Sequence, residues 1–361
     1  MSTLQISLAV GGSVVLVGII AHGAWSARKN QPKQADPKAV DSTHPAAEPG
    51  EPTFSSLNAA DEFAERREPS FDADAGLAAL TQLTTLERKP VLDILIDAVA
   101  PVTLELPVSG EAALAAMPST RRVGSKSFAI EGLHEESREW EIPAAGNRYS
   151  AFQCGVQLAN RTGALNAIEY SEFVMKTQAF ADAIGGEVEF AEMQGEVARA
   201  RELDQFAGAH DAQLSFKLRA VKTAWSLGYV QQCVASQGFV ASATPGRLLL
   251  PAKQTGHSPI LGLSFDSQAA QAEEPEQTAI FELALSLDVP QVSRSEAPFA
   301  RMCEVAIALA SVMDGVIIDD NAILVRPEAM EAIHADLEEL YDRLDARELS
   351  AGSVLGRRLF S

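Results

Sequence analysis

The chain has 361 residues, 47% of them hydrophobic and 22% charged, and a formal net charge of −20. So acidic a chain argues against nucleic acid as a partner, because phosphate contacts need clustered Lys and Arg. Three cysteines, Cys154, Cys233 and Cys303, lie far apart in apolar patterns, which argues against a disulfide framework or zinc site and predicts buried reduced thiols.

The first element is an uncharged, largely apolar run over residues 4–25, including Leu4, Val10, Val15, Ile20 and Trp25. About twenty apolar residues cross a bilayer as a helix, and no basic residue precedes the run as it would in a cleavable signal. Residues 1–27 are therefore expected to be a transmembrane anchor in the lipid bilayer. Arg28, Lys29, Lys33 and Lys38 follow it, and basic flanks stay on the cytoplasmic side. A single-pass topology is expected, with the N-terminus outside and the remaining chain cytoplasmic. Gly11, Gly12 and Gly18 would let two anchors approach, but their spacing is not GxxxG, so weak self-association is the most they predict.

Residues 28–89 are rich in Pro, Ala, Glu, Asp and Ser, and they cannot bury enough surface to fold alone. Short helical turns are compatible with 57–66 and 72–83. As a flexible coil of some sixty residues this linker would reach roughly 45 Å root-mean-square.

Beyond the linker, Phe281 minus Phe152, Leu287 minus Leu158 and Gly315 minus Gly186 each give 129, the signature of a tandem repeat. The first copy reads as a strand near 92–98, further strands, and a helix with Tyr170, Phe173, Val174, Thr177, Ala181 and Ile184 on one face, ending at Gly185 and Gly186. The second has strands at 214–220, 260–265 and 279–288, then a helix with Phe299, Met302, Cys303, Ala306, Ile307, Ala310 and Met313 on one face. Ser295 is its expected N-cap and Gly315 its expected stop. A last helix over 328–344 carries Met330, Ile333, Leu337, Leu340, Tyr341 and Leu344.

The expected fold class is α+β: one transmembrane helix, a flexible Pro-rich linker, then two tandem split β-α-β-like modules at 90–210 and 211–345, and a tail at 346–361. In each module an antiparallel sheet is covered by helices on one face.

No phosphate-binding loop, nucleophile elbow, zinc-protease, CxxC or dinucleotide fingerprint occurs, so the chain is expected not to be an enzyme and to need no cofactor. Asp319, Asp320 and Asn321 read as a hairpin turn rather than a metal site. His134, His210, His257 and His334 have no sequence-adjacent partner and suit surface or capping roles. Arg121, Arg122 and Lys126 read as a solvated basic edge.

Alternation in the second-copy strands does suggest a site. With Leu214, Phe216, Leu218, Leu261, Leu263, Phe265, Phe281, Leu283, Leu285 and Leu287 turned toward the helices, Ser215, Lys217, Arg219, Ile260, Gly262, Ser264, Glu282, Ala284 and Ser286 face the other way. They would form a shallow trough for an extended partner peptide, with acidic groups near Lys217 and Arg219.

The layout resembles the ZipA family of bacterial cell-division proteins. The resemblance rests on the anchor with its basic flank, the Pro-rich linker, LSLDVPQVSRSEAPFARM, MDGVIIDDNAILVRPEAMEAI and the helix to Leu344. GVQLANRTG, HDAQLSF, GYVQQ and the closing RRLFS are similar to the β-proteobacterial type, over nearly the whole chain. The resemblance implies a C-terminal domain that holds the C-terminal peptide of FtsZ on an exposed sheet face, chiefly by apolar contacts, with trough strands at 214–220, about 246–250 including Leu249, 260–265 and 279–288. It thereby implies a division-ring tether for septum assembly at the cell inner membrane, its N-terminus periplasmic. It also implies Met and Phe in the groove, where this chain has Gly262, Ser264, Ala284 and Ser286. An alternative left open is an anchored adaptor for another envelope or divisome protein, without FtsZ binding.

Overall fold

The computed structural model describes residues 33–34, 92–253, 256–270 and 278–361. The expected anchor, nearly all of the linker and its proposed helical turns lie outside the described residues, and no described helix is long and apolar enough to cross a membrane. The described chain is a mixed α/β structure with antiparallel sheets, divided into two compact units.

In chain order the elements are β1 (Asp97–Ser109), α1 (Gly110–Ala116), β2 (Arg122–Val123), β3 (Lys126–His134), β4 (Trp140–Glu141), β5 (Arg148–Gln157), β6 (Ala159–Asn160), β7 (Gly163–Ala164), α2 (Ala167–Ile184), β8 (Gly186–Val188) and α3 (Met193–His210). There follow β9 (Gln213–Ala220), α4 (Leu227–Ala235), β10 (Val240–Ala241), β11 (Arg247–Leu250), β12 (Leu261–Ser264), β13 (Glu282–Asp288), α5 (Pro298–Met313), β14 (Gly315–Ile318), α6 (Pro327–Asp345) and α7 (Val354–Leu359).

One unit holds a sheet of order β2-β3-β5-β1-β8, with β4 on β3; its core is Val102, Phe128, Phe152 and Cys154 from the sheet and Phe173, Phe180 and Ala181 from α2. Phe152 and Phe180 meet edge to face at 5.3 Å between ring centroids. The other unit comprises the β6-β7 hairpin, α3 from Val197 on, and everything to Ser361, around a sheet of order β10-β11-β12-β13-β9-β14. Phe216, Leu218, Leu263, Leu283 and Leu285 are buried with Phe299, Met302, Val305, Leu309 and Met313 of α5. Each such side chain contributes about 1.5–3 kcal/mol by leaving water.

The two strand orders correspond: β3, β5, β1 and β8 occupy the places of β12, β13, β9 and β14. The 129 offset holds at Gly186 and Gly315, which both open the last strand. It does not hold in the central strand. Val102 faces both Phe152 and Val188, and Leu218 faces both Leu283 and Ile317. Leu283, not Phe281, is thus the counterpart of Phe152, an offset of 131. Phe281 lies before β13 and is 59% exposed, because Ile280 exchanges both backbone hydrogen bonds with Trp225 and breaks the alternation.

Other expectations are corrected likewise. Residues 92–96 form a turn rather than a strand, with Asp93 Oδ1 accepting from the Leu95 amide at 2.8 Å. In α5, Ile307 is exposed while Val305 and Leu309 are buried, since the helix face is centred one position away from the expected stripe. Ser295 caps nothing: it lies in a 3₁₀ turn, and α5 starts at Pro298 after Ala297, without a side-chain cap. Asp314 in the left-handed region, not Gly315, ends the helix. Lys126 is 1% exposed rather than solvated, with its Nζ donating to Ser125 Oγ at 2.8 Å. The linker is not free at Lys33, whose backbone bridges Trp225.

Several readings are matched. Asp319 Oδ1 accepts from the Asn321 and Ile323 amides, each at 2.8 Å, which makes the acidic triplet a turn. All three cysteines are free; Cys154 and Cys233 are buried as expected while Cys303 is only half-buried, and burial pushes the Cys154 thiol up to about 12. His134 Nδ1 accepts from the amides of Glu136 and Ser137 as a local cap.

Candidate peptide-binding face

Pairing in the second sheet assembles the sequence-derived trough into two rows. Leu249, Gly262, Ser286 and Ser215 face one another across β11, β12, β13 and β9, with Val240 continuing the row on β10. Arg247, Ser264, Ala284 and Lys217 form the next row, which ends at Ile318 on β14. Because strand side chains alternate, all of these stand on the face opposite α5. Ser264 and Ser286 are exposed, and Ser215, Gly262 and Ala284 are half-buried.

The centre of this face is shallow for a chemical reason. Gly262 has no side chain, and Ser286 Oγ donates to the Gly262 carbonyl at 3.2 Å, so the hydroxyl lies flat on the sheet. Leu249 and Val240 supply apolar surface along one edge, Val240 being 52% exposed. At the end marked by Ile260, a cavity of about 360 Å³ opens, lined by Leu249, Pro259, Ile260, Gly262 and Ser286 together with Arg161, Arg247, Asp288 and Phe360.

Two expectations for this face change. Ile260 lines the cavity but is 6% exposed, so it offers little open surface to the trough. Lys217 and Arg219 are not free cations: Lys217 Nζ lies 3.1 Å from Asp320 Oδ1, and Arg219 Nε donates to Glu282 Oε1 at 2.6 Å. Exposed pairs of this kind are worth about 0–1 kcal/mol, but they lower the attraction of that edge for an acidic peptide. Arg247 has no side-chain ion pair among the described residues and is the cation that faces the trough centre.

Residues absent from the sequence-derived site form the cavity wall. Arg161 reaches Asp211 through Nε and Nη2 at 2.9 and 2.6 Å, and Asp288 through Nη1 and Nη2, both at 2.7 Å. These carboxylates, Asp288 foremost, hold the guanidinium pKa above its ordinary value. The 346–361 tail is docked: Gln291 Nε2 donates to the carbonyls of Arg357 and Phe360, and Leu359 and Phe360 are 0% and 1% exposed. Arg247 and Asp288 could have been found from sequence, since each lies two positions from a trough residue on its own strand. Arg161 and Phe360 come from remote segments with no periodic signal.

The arrangement can hold an extended segment by apolar contact and backbone approach. Among the described residues no group of acidic, His and Cys side chains could hold a metal ion. No family model matches the chain, and no curated protein matches it.

Proposed function

We propose that the chain is a non-enzymatic inner-membrane tether and adaptor in bacterial cell division, which binds the C-terminal peptide of FtsZ on the open face of the second sheet and holds the division ring at the membrane. On this reading residues 1–27 are the single-pass anchor, the linker follows, and the two units are tandem split β-α-β modules derived from one repeat. The observation that carries it is the row Leu249, Gly262, Ser286 and Ser215: small residues beside an apolar edge, on the sheet face away from α5. Individual contacts can be weak, since many FtsZ tails on one filament would meet many tethered chains.

The test is titration of the full chain in nanodiscs with a fluorescent FtsZ tail peptide. Binding is expected, with Gly262→Trp or Ala284→Arg weakening it at least about tenfold while circular dichroism stays unchanged; the second substitution adds charge and bulk to a half-buried surface position without touching the core. No binding to a correctly folded parent chain would sink the reading.

A second reading, an anchored adaptor for another envelope or divisome protein, is favoured by the internal pairing of Lys217 and Arg219 and by the small, polar trough centre. Midcell localisation that survives both trough substitutions would select it.

A further inference from the structure

The second unit makes an extended-backbone contact away from the trough. The Lys33 amide donates to the Ala224 carbonyl at 2.8 Å, and the Ser226 amide donates to the Lys33 carbonyl at 2.9 Å, which adds Lys33 in parallel beside Trp225. Trp225 in turn pairs with Ile280, so the bridge extends an existing ladder. The side chain is chosen as well as the backbone. Lys33 Nζ donates to the Met313 carbonyl at 3.3 Å and lies 5.8 Å from the centre of the Tyr229 ring. Met313 ends α5, where carbonyls without intrahelical partners carry the negative end of the helix dipole, and a cation is favoured there. Trp225 Nε1 and Tyr229 hydroxyl cap the Met313 and Val312 carbonyls, so the groups that receive Lys33 are themselves fixed.

We propose that Ala224, Trp225, Ser226, Tyr229 and the Met313 carbonyl form a second peptide site, specific for an extended lysine-bearing segment, and that its occupant is the chain's own Lys33, which latches the second unit to the anchor on a short tether. This rests on the anchor reading above for its consequence but not for the site. Between Trp25 and Lys33 the chain spans at most about 29 Å, from roughly 3.6 Å per residue. With Lys33 docked, the second unit stands within that distance of the apolar run. With it released, the connection runs through residues 26–91 and the other unit, and residues 26–91 alone have a contour of up to about 230 Å at roughly 3.6 Å per residue. The tether thus has two lengths, set by one lysine.

Residue-resolved hydrogen exchange on the full chain tests the site. In the parent chain the Lys33 and Ser226 amides are expected to be protected, and Lys33→Glu or Lys33→Pro to speed exchange at Ser226 roughly tenfold, as loss of these bonds implies. A synthetic peptide of residues 28–38 should restore protection to either variant. Unchanged Ser226 exchange in both variants overturns the proposal, and protection that rises with protein concentration overturns the assignment to the chain's own lysine. Spin labels at positions 26 and 243 in nanodiscs then read the tether: a short, narrow distance in the parent and a long, broad one in Lys33→Pro. Identical distributions overturn the latch. Site protection in a chain that fails to insert leaves the site standing and removes the anchor reading.

Discussion

The two sheets place small residues at the same spot and treat it differently. In the first, Gly155 faces Ala129 and Val99; in the second, Ser286 faces Gly262 and Ser215. The first spot is filled from within: Leu92 lies on Gly155 so closely that a methyl group added there would come 2.4 Å from Leu92 Cδ2. Glu131, fully buried, holds that segment by accepting from the Leu92 amide at 2.9 Å, while its other oxygen accepts from Gln153 at 2.8 Å. The corresponding positions in the second sheet are Ser264 and Ala284, too short to hold a covering segment. In this chain the row of small residues is covered where a buried carboxylate holds a segment over it and is left open where Ser264 and Ala284 stand instead.

The largest effects are expected where the two sheets are equivalent. Phe152→Ala and Leu283→Ala remove register-matched, fully buried side chains and should cost about 3–5 and 2–5 kcal/mol by denaturant unfolding. Losses differing severalfold beyond those ranges would mean that the matched strand order does not extend to packing.

A smaller effect should separate them. Leu92→Ala is expected to cost about 1–2 kcal/mol, because Leu92 is half-buried, and to open the first socket. The measurable sign is new binding of an apolar extended peptide that persists when Gly262→Trp blocks the second face. Absence of that binding in a folded variant would show that small residues alone do not make a socket.

How much of this was legible in sequence follows from periodicity. Alternation has period two, so aligning Phe152 with Phe281 instead of Leu283 still gave the right faces for Leu283, Leu285 and Leu287. It failed at Phe281, where pairing of Ile280 with Trp225 interrupts the strand. In α5 the polar edge is sparse, formed by Arg301, Glu304 and Ser311, and Ile307 lies beside it three residues after Glu304, so an apolar stripe read without that edge puts Ile307 inside. The trough centre was readable because it lies on regular strands. The internal pairing of Lys217 with Asp320 and the closure of the cavity by Arg161 and Phe360 depend on segments remote in sequence, which no local pattern encodes.

The smallest expected effect concerns the starts of α2 and α5, which are built differently. In α2, Asn166 Oδ1 accepts from the Ile168 and Glu169 amides and Glu169 reaches back to the Asn166 amide, a reciprocal cap. Positions 129 later are Ser295 and Pro298, and α5 has no side-chain cap. Burial by itself would raise the Glu169 pKa, but the Ser125 amide and hydroxyl, the Asn166 amide and the charge of Lys126 outweigh it and hold it below 4.5. A carboxylate so depressed contributes stability that is present above 4.5 and is lost as pH falls through the folded-state value. Glu169→Gln keeps the shape, removes the charge and should cost about 0.5–1 kcal/mol at neutral pH, with the difference from the parent shrinking on acidification below 4.5. The unfolding midpoint of the β1–β5 unit, followed by Trp140 fluorescence across that range, reads this directly; a pH-independent gap between parent and variant would assign the Glu169 contribution to packing rather than to its charge.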